Sequence, residues 1–184
     1  MPRYIAFLRA VNVGGRVVKM AHIKSIFESI GLSAVETFIA SGNVIFSTRS
    51  TVIPSLVTTA ETALKKALGY EVPVFIRTDA EVVNMAERKY TVFSATEVDG
   101  AHSLNIGCLH APFPAEAQEA MSGFDTECES FRTDGSEIFM LLHRSVVNSR
   151  FSITKFEKAI GAGTTFRNIN TIQRLAAKYP PICA

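Results

Sequence analysis

The chain has 184 residues, 47% of them apolar, and a formal net charge of +2, which suits a globular protein of one domain or two small ones. No apolar run approaches the length of a membrane span, and the first residues lack the apolar core and cleavage site of a signal peptide. We therefore expect a cytoplasmic protein with no membrane partner. Its three cysteines contain no CxxC pair, which indicates neither a disulfide framework nor a zinc ribbon.

The charge is distributed unevenly along the chain. Residues 1–77 carry nine Lys/Arg and four Asp/Glu, residues 78–135 carry three and eleven, and residues 136–184 carry seven and two. No acidic residue precedes Glu28, whereas five cations do: Arg3, Arg9, Arg16, Lys19 and Lys24. This local field favours an anion near the start of the chain.

The first part of the chain predicts the order β-α-β-β-α-β. Apolar side chains at helical spacing favour helices that end at Gly31 and Gly69, and short runs of β-formers favour strands. The predicted elements are a strand at Tyr4–Val11, a helix at Met20–Ile30, strands at 34–40 and 43–47 joined through Ser41 and Gly42, a helix at Pro54–Leu68 and a strand at 72–78.

The second part predicts the same order again. A connecting helix at Thr78–Arg88 comes first, because Thr78 and Glu81 form a capping-box pattern. Strands follow at 102–110, 125–133 and 137–143, with a helix at Pro114–Ser122, a helix at Ile153–Ile160, a strand at 164–168 and a final helix at Asn170–Tyr179. The repeat lies in the element order and not in residue identity.

This order predicts an α+β fold of two ferredoxin-like β-α-β-β-α-β units with antiparallel sheets, plus a C-terminal helix. The predicted domains are a first half at 1–77, a connecting helix and loop at 78–102, and a second half with the C-terminal helix at 103–184. A right-handed crossover places the third strand of a unit beside the first and antiparallel to it. The end of the first strand, residues 11–15, should then lie beside the hairpin turn at 41–43.

The chain contains three polar motifs in the same order as a known family. They are "LRAVNVGG" (8–15), "FIASGNVIFS" (38–47) and "TTFRNINTIQRL" (164–175). Together they resemble a bacterial family catalogued as domain of unknown function 1697, in which LR-x-x-NVGG, SGN before an apolar strand, and RN-x-NT follow one another. The resemblance covers essentially the whole chain and implies a ferredoxin-like α+β fold with no established activity.

The "NVGGR" stretch has two interpretations. Glycine N–H groups can converge on a phosphate or carboxylate while nearby cations supply charge. Alternatively, the stretch is a tight turn with left-handed glycines. The spacing fits neither GxGxxG nor GxxxxGK[ST], so a nucleotide fingerprint is absent. The candidate ligand-binding residues here are Arg9, Asn12, Gly14, Gly15, Arg16 and Lys19.

The other two motifs also allow a structural and a functional interpretation. Ser41, Gly42 and Asn43 suit a hairpin turn, but they could also present polar groups beside Asn12. In "RNINT", Asn170 and Gln173 form a capping-box pattern. The same helix start could stabilise an anion, with four candidate ligand-binding residues: Arg167, Asn168, Asn170 and Thr171.

The motifs contain no histidine and no carboxylate, so no general base and no metal ligand set is indicated. No cofactor is predicted, and the signature of RNA-recognition domains is missing. We expect a binding module for an anionic ligand, either a phosphorylated small molecule or a nucleic acid, at a site formed by the three motifs. The alternatives are an enzyme acting on a small anionic metabolite, or motifs that only hold turns and helix ends. The sequence does not indicate an oligomeric state.

Overall fold

A computed structural model describes residues 1–12, 17–144 and 151–182. Gly14, Gly15 and Arg16 lie outside the described residues. The chain divides into two compact units, Met1–Val82 with Lys178–Ala184, and Val83–Ala177. The domain boundaries inferred from the sequence stay a prediction.

The first unit has the predicted order of strands and helices. Its four-stranded sheet has the order β2-β3-β1-β4 with antiparallel pairs. The pairing of β1 with β3 confirms the placement expected from the crossover rule, and Phe7 lies opposite Asn43. The elements are β1 (Arg3–Leu8), α1 (Met20–Ser29), β2 (Ser33–Phe38), β3 (Asn43–Ser47), α2 (Ile53–Leu68) and β4 (Val74–Thr78).

Both helices of this unit end as predicted, because glycine follows each in the left-handed conformation. Gly31 has φ +81° and Gly69 has φ +79°, and the N–H of Gly69 caps the carbonyl of Lys65. The helices pack on one face of the sheet, where Phe27 and Leu64 are fully buried with Phe46 of β3. Burial of such side chains contributes roughly 1.5–3 kcal/mol each.

The second unit repeats this topology with the strand order β6-β7-β5-β8. α3 (Asp79–Glu87) leads into it, and the N–H of Thr78 and the carboxylate of Glu81 form the predicted capping contact at 2.7 Å. The remaining elements are α4 (Lys89–Val92), α5 (Ala95–Gly100), β5 (Ser103–Cys108), a 3-10 turn (Ala115–Ala117), α6 (Gln118–Ser122), β6 (Glu129–Asp134), β7 (Glu137–Leu142), α7 (Ile153–Ile160), β8 (Thr165–Asn168) and α8 (Ile169–Lys178). The predicted fold class is confirmed, including the C-terminal helix.

Two details differ from the sequence-based expectation. The helix expected at Pro114–Ser122 is divided into the 3-10 turn and the short α6. The stretch after α3 contains α4 and α5, and α5 begins at a capping box formed by Ser94 and Glu97. The Ser-x-x-Glu spacing was a readable signal for that helix start.

The pairings of the first strand with the third and fourth strands correspond residue by residue in the two sheets. In the first, the N–H of Leu8 donates to the carbonyl of Gly42 at 2.8 Å, and in the second the N–H of Leu109 donates to that of Ser136 at 2.9 Å. Ile5 and Ile106 each lie three residues before these leucines. Ile5 lies opposite Arg77, and Ile106 lies opposite Arg167. Arg77 and Arg167 therefore occupy equivalent positions on the fourth strand of their units.

Residues 178–182 belong to the first unit and contact β1 and β2 of its sheet. Tyr179 donates a hydrogen bond from its hydroxyl to the Glu36 carboxylate at 2.7 Å, and its ring meets Phe38 edge-on at 6.5 Å. Arg3 donates to the carbonyl of Pro180 at 3.1 Å. We call residues 178–182 the C-terminal segment.

In the part of the chain that the structure describes, none of the helices combines the length and the hydrophobicity needed to cross a membrane.

Candidate functional site

The end of β1 is held from both sides by neighbouring segments of the first unit. On one side, the N–H of Leu8 donates to the carbonyl of Gly42 at 2.8 Å. On the other, the N–H of Arg9 donates to the carbonyl of Pro73 at 2.9 Å. The "LRAVN" stretch and the turn between β2 and β3 therefore meet at one end of the sheet, as the sequence predicts. Arg9 is half-buried there.

Asn12 joins three parts of this region through its side-chain amide. Its Oδ1 accepts a hydrogen bond from the N–H of Val18 at 2.6 Å. Its Nδ2 donates to the carbonyl of Ala40 at 2.9 Å and lies 3.8 Å from the sulfur of Met20. One side chain thus fixes the chain on both sides of residues 13–16 and ties it to the turn. Its amide thereby connects the end of β1 to Val18, to Ala40 and to Met20 at the start of α1.

The backbone is strained where these two segments meet. Ala10, Asn12 and Ile39 have φ of +56°, +59° and +53°, a region that costs roughly 1–2 kcal/mol for a residue with a Cβ. Asparagine tolerates it, whereas a β-branched isoleucine rarely adopts it. Non-glycine residues in this conformation cluster at functional sites, where the surrounding structure holds them.

Gly42 is required at the same end of the sheet for two reasons. Its φ is +77°, and a Cβ added there would lie 3.1 Å from the Cβ of Leu8 and 3.3 Å from that of Val11. The glycine therefore allows the turn to approach β1 closely.

The remaining residues of the "SGN" motif face different environments. Asn43 is fully buried, and its Nδ2 donates to the carbonyl of Phe38 at 2.9 Å and to the Oγ of Ser41 at 3.0 Å. Ser41 is exposed, and a hydroxyl that accepts one hydrogen bond still has its own proton to donate. Asn43 stabilises the turn from inside, and Ser41 presents a polar group to solvent.

Helix α1 begins close to Asn12. The residue before the helix is Lys19, which makes no side-chain capping bond, and the first turn contains no acidic residue. Lys19 is exposed. The first N–H groups of any helix have no partner within the helix, and that end carries partial positive charge.

The "RNINT" residues belong to the second unit. Arg167 is only 8% exposed, and its Nη1 donates to the Oγ1 of Thr165 and to the carbonyl of Phe166, each at 2.9 Å. Burial lowers the pKa of Arg167 to about 10, against an opposing contribution from Cys108. The guanidinium is therefore still charged at neutral pH.

The cap predicted for the final helix is wrong by two residues. The helix begins at Ile169, and the Oδ1 of Asn168 accepts a hydrogen bond from the N–H of Asn170 at 2.9 Å. Asn168 thus occupies the capping position that the sequence assigned to Asn170. Asn170 is exposed and Thr171 is half-buried.

The structure brings together six of the predicted site residues in the first unit: Arg9, Asn12, Lys19, Ser41, Gly42 and Asn43. It also reveals a buried cation that sequence reasoning missed, since Arg77 is 6% exposed and donates from Nη1 to the carbonyl of Ile76 at 3.0 Å. The repeated element order was the available signal, because it places Arg77 at the position of Arg167.

Among the described residues, no group of three or more His, Cys, Asp or Glu side chains is arranged to hold a metal ion.

Comparison with known proteins agrees with the fold. No curated protein matches the chain. The conserved bacterial protein SP0830 from Streptococcus pneumoniae has a similar structure, with a TM-score of 0.68 and 18% identity over 96% of this chain and 97% of that one. At this identity the likeness shows a shared fold alone. A sequence profile described as "Protein of unknown function (DUF1697)" matches residues 1–139, and the chain therefore belongs to the DUF1697 family.

Proposed function

We propose that the protein is a binding module for an anionic ligand, at the end of the first sheet where α1 begins. The observation that carries this proposal is the start of α1, where Lys19 makes no side-chain capping bond and the first turn contains no acidic residue. Phosphates and carboxylates bind at such helix starts because N–H groups and the helix dipole both favour negative charge. The stretch before Glu28, which contains no acidic residue, also favours a negatively charged ligand.

The residues of this region take two kinds of role. Lys19 and Arg9 supply positive charge, and the Ser41 hydroxyl supplies a donor. Asn12 is a positioning residue, because its two hydrogen bonds connect the end of β1 to Val18 and Ala40. Gly42 and Asn43 shape the turn beside it.

The remaining motif residues enter the proposal from the sequence. Gly14, Gly15 and Arg16 stay predicted ligand-binding residues, because they follow Asn12 in the sequence. Arg167, Asn168, Asn170 and Thr171 stay predicted ligand-binding residues of the second unit. A phosphorylated small molecule or a nucleic acid, met in the cytoplasm, is the expected ligand class.

Binding is better supported than catalysis. The stretches 8–20 and 38–47 contain no histidine, cysteine or carboxylate. General acid–base catalysis needs a side chain that moves a proton, whereas arginine, asparagine and serine are better suited to holding charge.

Substitution of Lys19 tests the proposal, with Lys24 as the matched control. Both lysines are exposed, but Lys19 precedes α1 whereas Lys24 lies within it and pairs with Glu28 at 3.7 Å. Calorimetric titration with inorganic phosphate, and fluorescence titration with a labelled oligonucleotide over a salt series, should show several-fold weaker binding for Lys19→Ala than for Lys24→Ala. Equal binding by wild type and both variants, or no salt-sensitive binding at all, would refute the site.

A further inference from the structure

Glu129 on β6 has a buried carboxylate with only one of its oxygens hydrogen-bonded. The residue is 3% exposed, and its Oε2 accepts a hydrogen bond from the Oγ1 of Thr126. The Thr126 hydroxyl itself accepts the N–H groups of Cys128 at 3.0 Å and of Glu129 at 3.1 Å. Both lone pairs of this hydroxyl are therefore used, so its own proton is the one donated to Glu129.

The other oxygen of the Glu129 carboxylate, Oε1, lacks a donor. Among the residues that the structure describes, none donates a hydrogen bond to it, and none forms an ion pair with Glu129. Burial of an unpaired carboxylate oxygen costs free energy, and such a group in a folded protein calls for an explanation. A cationic donor supplies both the missing hydrogen bond and the opposite charge.

Aromatic rings share the face of the sheet on which Glu129 lies. Alternate residues of a strand point to the same face, so Glu129 lies on the face of Phe131. Its cross-strand neighbour Leu142 belongs to the same core cluster as Phe131. Neighbouring rings on this face have centroids 5.0 to 6.5 Å apart, and we call the set the phenylalanine cluster: Phe124, Phe131, Phe151, Phe156 and Phe166.

The phenylalanine cluster reaches the protein surface close to Glu129 in the sequence. Phe124 and Phe151 are half-buried, and Phe124 directly precedes the exposed residues 125–127 that lead to Glu129. The faces of such rings attract cations. The surrounding charge has the same preference, since residues 78–135 carry three Lys/Arg and eleven Asp/Glu, which favours a positively charged ligand.

We propose that the second unit binds a small primary amine in its protonated form, with the ammonium group on Oε1 of Glu129 and the carbon chain against the phenylalanine cluster. An ammonium ion has the N–H donors that Oε1 lacks, and its charge offsets that of the buried carboxylate. The rings supply apolar contact for the chain and cation–π attraction for the charge. This site lies in a different unit from the proposed anion site and takes a ligand of the opposite charge, so each can be tested without the other.

Three probes with a butyl chain separate the contributions of charge and hydrogen bonding: butylammonium, butyltrimethylammonium and 1-butanol. Calorimetric titration of the wild-type protein in an amine-free buffer should show butylammonium binding about tenfold or more tightly than 1-butanol, since one hydrogen bond between charged groups is worth at least that factor. Butyltrimethylammonium has the charge without an N–H group and should bind several-fold more weakly than butylammonium. Equal binding of butylammonium and 1-butanol, or no binding of butylammonium, would overturn the proposal.

Glu129→Gln keeps the size of the side chain and removes its charge, and Glu127→Gln is the matched control. The Glu127 side chain is 87% exposed and lies 3.9 Å from Arg144. Butylammonium should bind about tenfold more weakly to Glu129→Gln than to wild type, and with unchanged affinity to Glu127→Gln. Equal affinity of wild type and both variants would mean that the amine binds elsewhere, and the site would be wrong.

Nuclear magnetic resonance of the isotope-labelled wild-type protein locates the site without a substitution, which decides the matter if Glu129→Gln does not fold. The amide signals of Cys128 and Glu129 should shift during titration with butylammonium, because both N–H groups donate to the Thr126 hydroxyl that binds the Glu129 carboxylate. The same concentration of 1-butanol should leave these signals in place. Shifts confined to other parts of the chain would contradict the proposal.

Discussion

The two units share one topology but differ in how their first strand continues. In the first unit, β1 is followed by residues with a strained backbone and by cations, and then by the ten-residue helix α1. In the second, it leaves β5 through residues 109–114 into a 3-10 turn and the five-residue α6. The equivalent hydrogen bonds of Leu8 and Leu109 form in both. The topology therefore forms without the polar loop of the first unit, which supports a role for that loop beyond folding.

A second difference concerns side-chain size at the centre of each sheet. Ala6 lies opposite Ile76 in the first sheet, and Gly107 lies opposite Phe166 at the equivalent place in the second. A Cβ on Gly107 would lie 2.8 Å from the Phe166 ring and 2.8 Å from the Oγ1 of Thr164. The smaller residue on one strand compensates for the larger one on its neighbour.

Gly107→Ala is expected to have the largest effect on the second unit. The added methyl group overpacks a buried strand, so the free energy of unfolding should fall by about 1–3 kcal/mol in urea denaturation. The double variant Gly107→Ala/Phe166→Ile reproduces the pair found in the first unit and should recover part of the loss. If the double variant is as unstable as the sum of the two single variants, the size compensation is not real.

Asn12→Ala tests the loop that distinguishes the first unit. The variant loses the hydrogen bonds to Val18 and Ala40 and places alanine in a left-handed conformation. Together these should lower the free energy of unfolding by about 2 kcal/mol in urea denaturation.

Asn12→Gly separates these two causes, because glycine adopts the left-handed conformation without strain. It should cost less than Asn12→Ala by about 1 kcal/mol. Wild-type stability in both variants would mean that the Asn12 side chain does not hold the loop.

Glu36→Gln addresses the C-terminal segment and should have the smallest effect. The hydrogen bond from Tyr179, and then the pairing with Lys178, lower the pKa of Glu36 from its ordinary 4.5. A carboxyl whose pKa is lower in the folded state stabilises the fold above its unfolded pKa and loses that contribution as the pH falls through its folded pKa. The urea midpoints of wild type and variant should therefore differ at pH 7, and the difference should shrink as the pH falls below the ordinary pKa of glutamate and vanish only below the lowered pKa of Glu36 in the folded state.

Glu71→Gln is the matched control for this measurement. Its pKa is also lowered, by Lys65, but the pair is exposed on both sides and should contribute little. A pH-dependent difference as large for Glu71→Gln as for Glu36→Gln would show that the contacts of the C-terminal segment do not stabilise the unit.

General rules about chain connections and helix ends predicted the fold. The crossover rule placed the end of β1 beside Ser41 and Gly42, and glycines marked the ends of α1 and α2. The roles of the site residues were harder to predict from the sequence, because an asparagine in a polar loop looks the same whether its amide binds a ligand or the protein backbone. In the structure, the Asn12 amide binds the backbone of Val18 and Ala40. Burial of Arg77 also depends on long-range packing that no local pattern records.

The C-terminal segment has a consequence for how the protein is made on the ribosome. Lys178 and Tyr179 complete the outer part of the first sheet through Glu36 and Phe38, yet they are synthesised only after the whole second unit. Domains usually fold in order of synthesis. Of these two units, the one that is synthesised first therefore gains its contacts with the C-terminal segment only after the second has been synthesised, and its edge strand β2 stays uncovered by that segment until then.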